Sequence, residues 1–382
     1  MTSTSTTETT AAEDGTDIET RSEILFVYDA QDCNPNGDPY NDNQPRIDQA
    51  TGQAVVTDVR LKRYLREQLQ TDKHGVFIRT PDDDRQAFKR IDAALGMFEE
   101  VEEPEDFETV DAVKETFLKR AADVRYFGAT FSFDVDNDET QDMIQDRFGS
   151  NLTGPVQFSP ARSLNRVERN TESKRLTSVL SSDEENQQGT FAQDERLKYA
   201  IFPFHGVVNE NGAADTHLST DDVERLDTLL WRSIKNQTIS RSKIGQAPRL
   251  YLRVEFESGF HTGDLHRTVE LGTDDSPGEL RDIRDVTIDV TETLRTLNEV
   301  KDKIEAVHIV GDRHLTCSVD LAADGLIESE EIDEAEIPEE FTAADLGNQI
   351  ETAIGIEVNH IDVWEDFKAT LPKQAVSEEE AE

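Results

Sequence analysis

Cysteine is scarce in this chain of 382 residues, since only Cys33 and Cys317 occur and no CxxC spacing is present. This excludes a disulfide framework and is typical of a protein from a reducing compartment with two free thiols. Long apolar runs are also lacking, because no stretch approaches the roughly 18 residues of a membrane span. The first 20 residues are rich in Ser, Thr and Glu and contain no apolar signal-peptide core. We therefore expect a cytoplasmic protein that does not bind membranes.

Positive charge is scarce as well. The chain has 39 Lys plus Arg against 82 Asp plus Glu, which gives a net charge of -43, and only 13 of the basic residues are lysine. Such a surface repels nucleic acid at ordinary ionic strength, so composition alone argues against a nucleic-acid binder. In molar salt the Debye length falls to about 3 Å and this repulsion is largely screened. The acidity therefore indicates a halophilic protein and says little about a substrate.

The densest local signal lies between residues 34 and 66. Residues 34–39 (NPNGDP) predict a tight loop rich in free backbone N–H groups, which suits an anion, although an ordinary turn is the alternative. A short hairpin at 44–56 follows, and then a helix at 57–70 with Thr57 as its N-cap. A solvated face with i,i+4 pairs is the alternative for the helix cations. We expect these cations to face phosphates: Arg60, Lys62, Arg63 and Arg66.

Two windows contain no acidic residue, although about one residue in five of the chain is Asp or Glu. Residues 147–167 carry Arg162 and Arg166, and residues 228–254 contain the loop SRSKIG, built of cations, hydroxyls and glycine. Residues 258–382 reverse the balance, with 33 acidic and 9 basic side chains. Nucleic acid is therefore expected near the two windows and away from the C-terminal part.

Alternating and helical apolar patterns predict an α+β fold. Its order of strand, helix, strand, insertion, strand, helix, strand is that of a ferredoxin-like or RRM-like domain. The aromatic residues with which RRM sheets stack bases are not evident. The predicted strands are 23–30, 75–80, 196–209 and 248–257, with helices at 57–70 and 219–236. The expected insertion contains helices at 82–98 and 109–122, a β-like aromatic segment at 123–133 and a polar projecting segment at 169–189.

Several ordered motifs together resemble the repeating backbone subunit, of the RAMP superfamily, of type I CRISPR interference (Cascade) complexes. They are NPNGDP, PRID, TG, VTDVRLKR, DVRYFG, GPVQF with ARS, and SRSKIG, spread over residues 21–257, and they are most like the haloarchaeal type I-B branch. The resemblance implies a modified RRM-like palm with inserted helical and thumb-like segments. It also implies a non-catalytic subunit that polymerises head-to-tail along CRISPR RNA, supports guide pairing with target DNA and contacts the repeat-end-binding and large subunits.

The resemblance implies the palm, its insertions and a set of RNA contacts, while composition suggests what lies on either side of the palm. We expect a disordered acidic tail at 1–22, the palm at 23–257 with insertions at about 81–195 and a thumb at about 163–195. An acidic extension at 258–382 would pack on the palm and end in disorder. The expected RNA-binding residues are Asn34, Asn36, Gly37, Arg46, Arg60, Lys62, Arg63, Arg66, Arg162, Ser163, Arg166, Arg241, Ser242, Lys243 and Gly245.

Two other functions compete with this one. Backbone subunits of the related type III complexes cleave RNA with a loop aspartate, so Asp32 or Asp38 could serve a metal-dependent endoribonuclease. A stand-alone nucleic-acid chaperone would bind RNA without oligomerising. No paired carboxylates, EF-hand spacing or complete zinc ligand set is visible, because His308, His314 and Cys317 lack a fourth ligand. We therefore expect no metal and no cofactor.

Overall fold

The computed structural model describes residues 18–78, 113–131, 146, 151–170, 195–272, 278–320 and 337–372. Among these residues no helix is long and apolar enough to cross a membrane. The strands are β1 (Arg21–Cys33), β2 (Gly37–Asp38), β3 (Gln44–Pro45), β4 (Gln53–Val56), β5 (Gly128–Thr130), β6 (Asn151–Thr153), β7 (Val156–Phe158), β8 (Ala161–Arg166), β9 (Arg169–Asn170), β10 (Arg196–Val208), β11 (Gln246–Phe256), β12 (Glu270–Leu271), β13 (Thr287–Asp289), β14 (Ile304–Gly311), β15 (Thr316–Ser318), β16 (Glu340–Thr342) and β17 (Val358–His360). The α-helices are α1 (Asp58–Thr71), α2 (Val113–Arg120), α3 (Ala122–Phe127), α4 (Glu210–Thr216), α5 (Thr220–Lys235), α6 (Thr291–Glu299), α7 (Leu346–Ile354) and α8 (Val363–Ala369).

One sheet organises the described part of the chain. Its strand order is β17-β14-β11-β1-β10-β7, and β9 also pairs with β10. The central strand β1 is antiparallel to both β10 and β11, and β17 runs parallel to β14 at one edge. The three long central strands come from distant parts of the chain. The sheet therefore decides which loops meet at each of its ends.

Both faces of this sheet are covered, which explains why β1 is a continuous apolar run. Ile24, Phe26 and Tyr28 pack in a core with α1 and α5. Leu25 and Val27 pack in a second core with side chains from the C-terminal part. Successive side chains of a strand point to opposite faces, so both sets must be apolar. Each such buried side chain contributes roughly 1.5–3 kcal/mol.

Local signals fix the start of the two helices on the first core. The Thr57 hydroxyl accepts a hydrogen bond from Arg60 N, so α1 begins at the next residue, as the sequence predicts. Ser219 and Asp222 form a capping box at the start of α5. Val59, an apolar residue in the first turn of α1, is 68% exposed. The packed side consists of Leu61, Tyr64, Leu65, Gln68 and Leu69.

The sequence predicts a strand at 75–80, and this prediction is wrong for residues 75–78, the part that the structure describes, because they form no strand. The backbone N–H groups of Phe77 and Ile78 donate to the carboxylate of Asp123, with N···O distances of 2.7 and 3.1 Å. These donors are therefore not available to a sheet. The position beside β10 belongs instead to β7, a three-residue strand that no pattern in the sequence predicts.

The aromatic segment 123–133 was predicted to be β-like, and this is wrong for its first half. Residues up to Phe127 form α3, and β5 follows. The helical turn lets Arg125 pair with Asp222 of α5, with an Nε···Oδ2 distance of 2.8 Å, while Asp123 pairs with Arg66 of α1 at 3.0 Å. These buried ion pairs override the strand propensity of the aromatic residues.

The C-terminal part shares both the sheet and a core with the rest of the chain. β14 pairs with β11, and β17 extends the same sheet. A second sheet, in the order β12-β13-β15-β16, packs with α6 and α7 in the second core. At the other end β1 begins at Arg21, two residues before the expected boundary of the palm. The predicted helix at 82–98, most of the projecting segment and residues 321–336 of the acidic extension lie outside the described residues.

Candidate nucleic-acid interface

The interface is built where β1 ends and β11 begins, at one end of the main sheet. Two loops meet there: the Asn34 loop (residues 34–43) and the Arg241 loop (residues 236–245). The backbone N–H of Asn34 donates to the carbonyl of Ser242, and that of Gln31 donates to the carbonyl of Gly245, both at 2.8 Å. Two motifs more than 200 positions apart thus form one unit, held by backbone hydrogen bonds.

Lys243 fastens these loops from within. Its Nζ donates to the carbonyl oxygens of Asn34 at 2.5 Å and Pro35 at 3.3 Å. The Tyr64 hydroxyl of α1 also donates to the Pro35 carbonyl, at 3.0 Å. Burial lowers the pKa of Lys243 to about 8, with a further lowering from Arg60. The structure gives Lys243 a positioning role, while its expected contact with RNA stays a prediction.

Asn34, Asn36 and Gly37 are buried and shape the Asn34 loop. The Asn34 amide donates to the carbonyl of Asn43 at 2.7 Å, and the Asn36 carbonyl accepts from Arg46 N at 3.2 Å. A Cβ added at Gly37 would lie 2.1 Å from Asn43 Oδ1. The Asn36 side-chain amide donates to the Thr57 hydroxyl at 3.4 Å. All three residues are therefore enclosed, which leaves mainly the outer surface of the loop for a ligand.

The four cations of α1 divide between two faces of the helix. Lys62 and Arg66 turn towards α3 and β7: Lys62 Nζ donates to Gln157 at 2.8 Å, and Arg66 pairs with the buried Asp123. Burial also lowers the pKa of Lys62. Arg60 and Arg63 lie on the other face, towards the Arg241 loop. Helical spacing requires this split, since positions 62 and 66 are one turn apart.

Two clefts flank this unit. The first, of about 500 Å³, lies between α1 and the Arg241 loop; its lining includes Arg60, Arg63, Tyr64, Glu67, Ser240 and Lys243. The second, of about 380 Å³, lies between the hairpin of β3 and β4 and strand β8; its lining includes Asp38, Arg46, Asp48, Thr57, Arg162 and Arg169. Each cleft combines arginines with hydroxyl or carboxylate groups. Arginine forks in such settings suit phosphate oxygens.

Strand β8 supplies the wall of the second cleft. It pairs with β4, and the buried Ser163 hydroxyl accepts from Ala54 N at 3.0 Å, so this serine pins the two strands together. Arg162 and Arg166 alternate with it and are exposed. Arg162 Nη1 lies 2.6 Å from Asp48 Oδ2. The alternation of a strand therefore directs the arginines outward and the serine inward.

Comparison with known proteins decides the family. The family model described as "CRISPR-associated protein Cas7" matches residues 20–291. This chain belongs to the Cas7 family. A Cas7 protein of Haloferax volcanii is 53% identical over 306 residues, which cover 78% of this chain and 89% of that protein. The family expected from the motifs is thereby confirmed.

Two solved structures also resemble this Cas7 chain. One is described as a CRISPR RNA-guided surveillance complex, pre-nicking, with a TM-score of 0.43, 14% identity and coverage of 80% of this chain and 94% of that chain. The other is described as a CRISPR RNA-guided surveillance complex, with a TM-score of 0.41, 14% identity and coverage of 80% and 91%.

Two arginines of this Cas7 chain at the interface were missed by sequence reasoning. Arg169 lines the second cleft and donates from Nη1 to Gln44 Oε1 at 2.7 Å. Arg196 donates to the carbonyls of Asp32 at 3.0 Å and Arg241 at 3.2 Å, so it ties the start of β10 to both loops. Arg169 is the first residue of the projecting segment, and Arg196 is the first residue of β10, the strand that follows that segment. This position beside the projecting segment is the sequence feature that could have predicted their place at the interface.

The aspartates proposed for catalysis are engaged in the loop. Asp32 accepts from the Asn170 amide at 2.8 Å, and Asp38 lies 3.3 Å from Arg46. In the part of the chain that the structure describes, no three His, Cys, Asp or Glu side chains are grouped as metal ligands. His308 lies in the main sheet beside Glu255, whereas Cys317 is buried in the second sheet.

Proposed function

We propose that this Cas7 chain is the non-catalytic subunit that holds CRISPR RNA by its backbone in a type I interference complex, of the I-B branch. The carrying observation is the joined pair of loops with an arginine-lined cleft on each side, in a chain whose net charge is -43. Such a groove recognises phosphates and leaves sequence recognition to guide pairing with target DNA.

The proposal includes the finer description of the fold. The antiparallel order β11-β1-β10-β7, with α1 and α5 on one face, supports a ferredoxin-like, RRM-like palm in which β7 is the second strand. Residues 163–195 would form the thumb, since β8 and β9 lead out of the second cleft and β10 returns to it. The extension from residue 258 onward would be the acidic side that faces away from RNA.

Copies of the chain would assemble head-to-tail on the guide, because a contact between different surfaces does not close on itself. The test is sedimentation in high salt, with and without guide RNA, of the wild type and of a variant with residues 172–188 replaced by a Gly-Ser linker. We expect RNA to shift the wild type to large species and the variant to stay small although folded. The variant assembling as well as the wild type would contradict the thumb.

The same samples, incubated with Mg²⁺ or Mn²⁺, test the absence of catalysis. We expect single-stranded RNA to remain intact in the presence of wild-type protein. Cleavage that disappears in Asp32→Ala or Asp38→Ala would instead assign the chain to the endoribonuclease function.

A further inference from the structure

Tyr40 is the most exposed aromatic side chain of the described residues, at 98% of its full accessibility. It stands at the tip of the Asn34 loop, which also contacts the Arg241 loop. Single exposed apolar side chains are common on protein surfaces, so exposure alone indicates nothing. Tyr40, however, lies on a hydrogen-bonded turn beside the second cleft, and both features bear on RNA binding.

The loop beneath Tyr40 is held by its own hydrogen bonds. The Asp38 carbonyl accepts from Asn41 N at 3.0 Å and from Asn43 N at 2.9 Å, and the Asp38 carboxylate accepts from Tyr40 N at 3.2 Å. Asp42 and Asn43 have φ values of 47° and 56°, which short polar residues tolerate in tight turns. An aromatic side chain with few rotatable bonds on such a turn loses little entropy when it binds.

The ring stands beside the second cleft. Its neighbours in sequence, Asp38 and Asn41, both line that cleft together with Arg46, Arg162 and Arg169. The buried Nε of Arg46 has no hydrogen-bond partner among the described residues. An exposed ring next to several arginines is the usual composition of a single-strand binding surface, in which cations follow the backbone and aromatics stack on bases.

At high salt, RNA affinity needs a contribution that does not come from phosphate contacts, and base stacking is one. Phosphate contacts lose affinity as salt rises because they act by releasing counterions, whereas stacking of a ring on a base does not depend on that release. On the basis of the proposed function, we propose that Tyr40 stacks on one base of the RNA strand bound along the second cleft. Stacking uses the face of the base, so its pairing edge remains free for target DNA.

The experiment uses full-length protein and single-stranded RNA too short to span two copies, with 2-aminopurine placed at one position per oligonucleotide. The variants are Tyr40→Ala and Tyr40→Phe, with Trp364→Ala as the matched control. Trp364 is another exposed aromatic, at 49%, on the C-terminal helix α8. Affinity is measured across KCl concentrations in the molar range, and thermal unfolding establishes that all variants are folded.

We expect Tyr40→Ala to weaken RNA binding by about 5- to 150-fold, the range found for loss of one base stack. The slope of affinity against salt should not change, since no phosphate contact is removed. Tyr40→Phe and Trp364→Ala should match the wild type, and one 2-aminopurine position should change its fluorescence in the wild type and Tyr40→Phe but not in Tyr40→Ala.

Four results would overturn the inference. Equal affinity of Tyr40→Ala and wild type would exclude a stacking role, and loss of affinity in Tyr40→Phe would assign the effect to the hydroxyl. Normal binding of short RNA with failed assembly on long guide would make Tyr40 a contact between copies. If the wild type itself binds no RNA, both the proposed function and this inference fail. If the wild type binds RNA and Tyr40→Ala binds it equally well, only the inference about Tyr40 fails.

Discussion

At the residue scale, Arg241 and Lys243 are two positions apart in one loop but have different surroundings. Arg241 is exposed, whereas Lys243 is half-buried and donates to two carbonyls of the Asn34 loop. The sequence shows only two cations in an acid-free loop. Their separate roles arise because Lys243 faces the Asn34 loop, whereas Arg241 faces solvent.

Arg241→Ala should lower RNA affinity and reduce the slope of log affinity against log salt by about 0.7, the contribution of one phosphate contact on a single strand. Its free energy of unfolding should stay within about 0.5 kcal/mol of the wild type. Lys243→Met keeps the alkyl stem but removes the donors, so it should cost about 1–3 kcal/mol of stability and lower affinity with an unchanged slope. Filter binding over a series of salt concentrations measures the RNA affinity and its salt dependence, and denaturant unfolding measures the free energy of unfolding.

The control is Arg284→Ala, a cation whose side chain is 81% exposed in the C-terminal part of the chain. It should change neither the affinity nor its salt slope. An equal change of slope in Lys243→Met and Arg241→Ala would mean that both side chains contact phosphate.

At the element scale, the two loops are joined through a glycine. Gly245 has a φ of 113°, and a Cβ there would lie 2.2 Å from the carbonyl oxygen of Gln31. Both the backbone conformation and the close approach of the Arg241 loop to the end of β1 therefore require glycine. The hydrogen bond from Gln31 N to Gly245 O is formed at the same place.

Gly245→Ala should destabilise the protein by about 1–3 kcal/mol, because strain in the backbone and a clash with the main chain both act. It should also make the Arg241 loop more sensitive to limited proteolysis. Gly278→Ala is the control, since nothing lies within 4 Å of a Cβ at that position. Equal unfolding free energies of the two variants would show that the loops are not held at Gly245.

At the scale of the whole molecule, the first strand holds the C-terminal part through one buried carboxylate. Glu23 of β1 accepts hydrogen bonds from Thr262 N at 2.9 Å, Gly263 N at 3.0 Å and Leu265 N at 3.0 Å, and it lies 2.8 Å from His205. Burial alone would raise its pKa, but the hydrogen bonds outweigh burial and lower the pKa from 4.5 to about 2.

A carboxyl whose pKa is lower in the folded state stabilises the protein above its unfolded pKa, and this stability is lost as the pH falls through the folded value. Glu23→Gln should therefore lower the free energy of unfolding by about 3 kcal/mol at neutral pH. The difference from wild type should shrink between pH 4.5 and about 2. Denaturant unfolding at constant high salt across this range measures it.

Glu224→Gln, at an exposed position of α5, is the matched control and should stay within about 0.5 kcal/mol of the wild type at each pH. A deficit of Glu23→Gln that is the same at pH 2 and at pH 7 would rule out the ionised carboxylate as its cause.

The sequence by itself determined the features that depend on neighbouring residues. Thr57 and Ser219 begin their helices through side-chain caps, and the apolar runs of β1, β10 and β11 form the central strands close to their predicted limits. The acid-free windows located β8 and the Arg241 loop, because so acidic a chain leaves few surfaces for cations. The motifs located the family, as the match over residues 20–291 confirms.

The tertiary structure decided what depends on distant partners. β7 rather than 75–80 lies beside β10, because Asp123 takes the N–H groups of Phe77 and Ile78. The cations of α1 divide between two faces because Asp123 and Gln157 approach one of them. Caps and periodicity act over a few residues, whereas these ion pairs, hydrogen bonds and edge positions depend on partners 45 to 95 positions away in the chain, and the pairing of such partners cannot be read from one sequence.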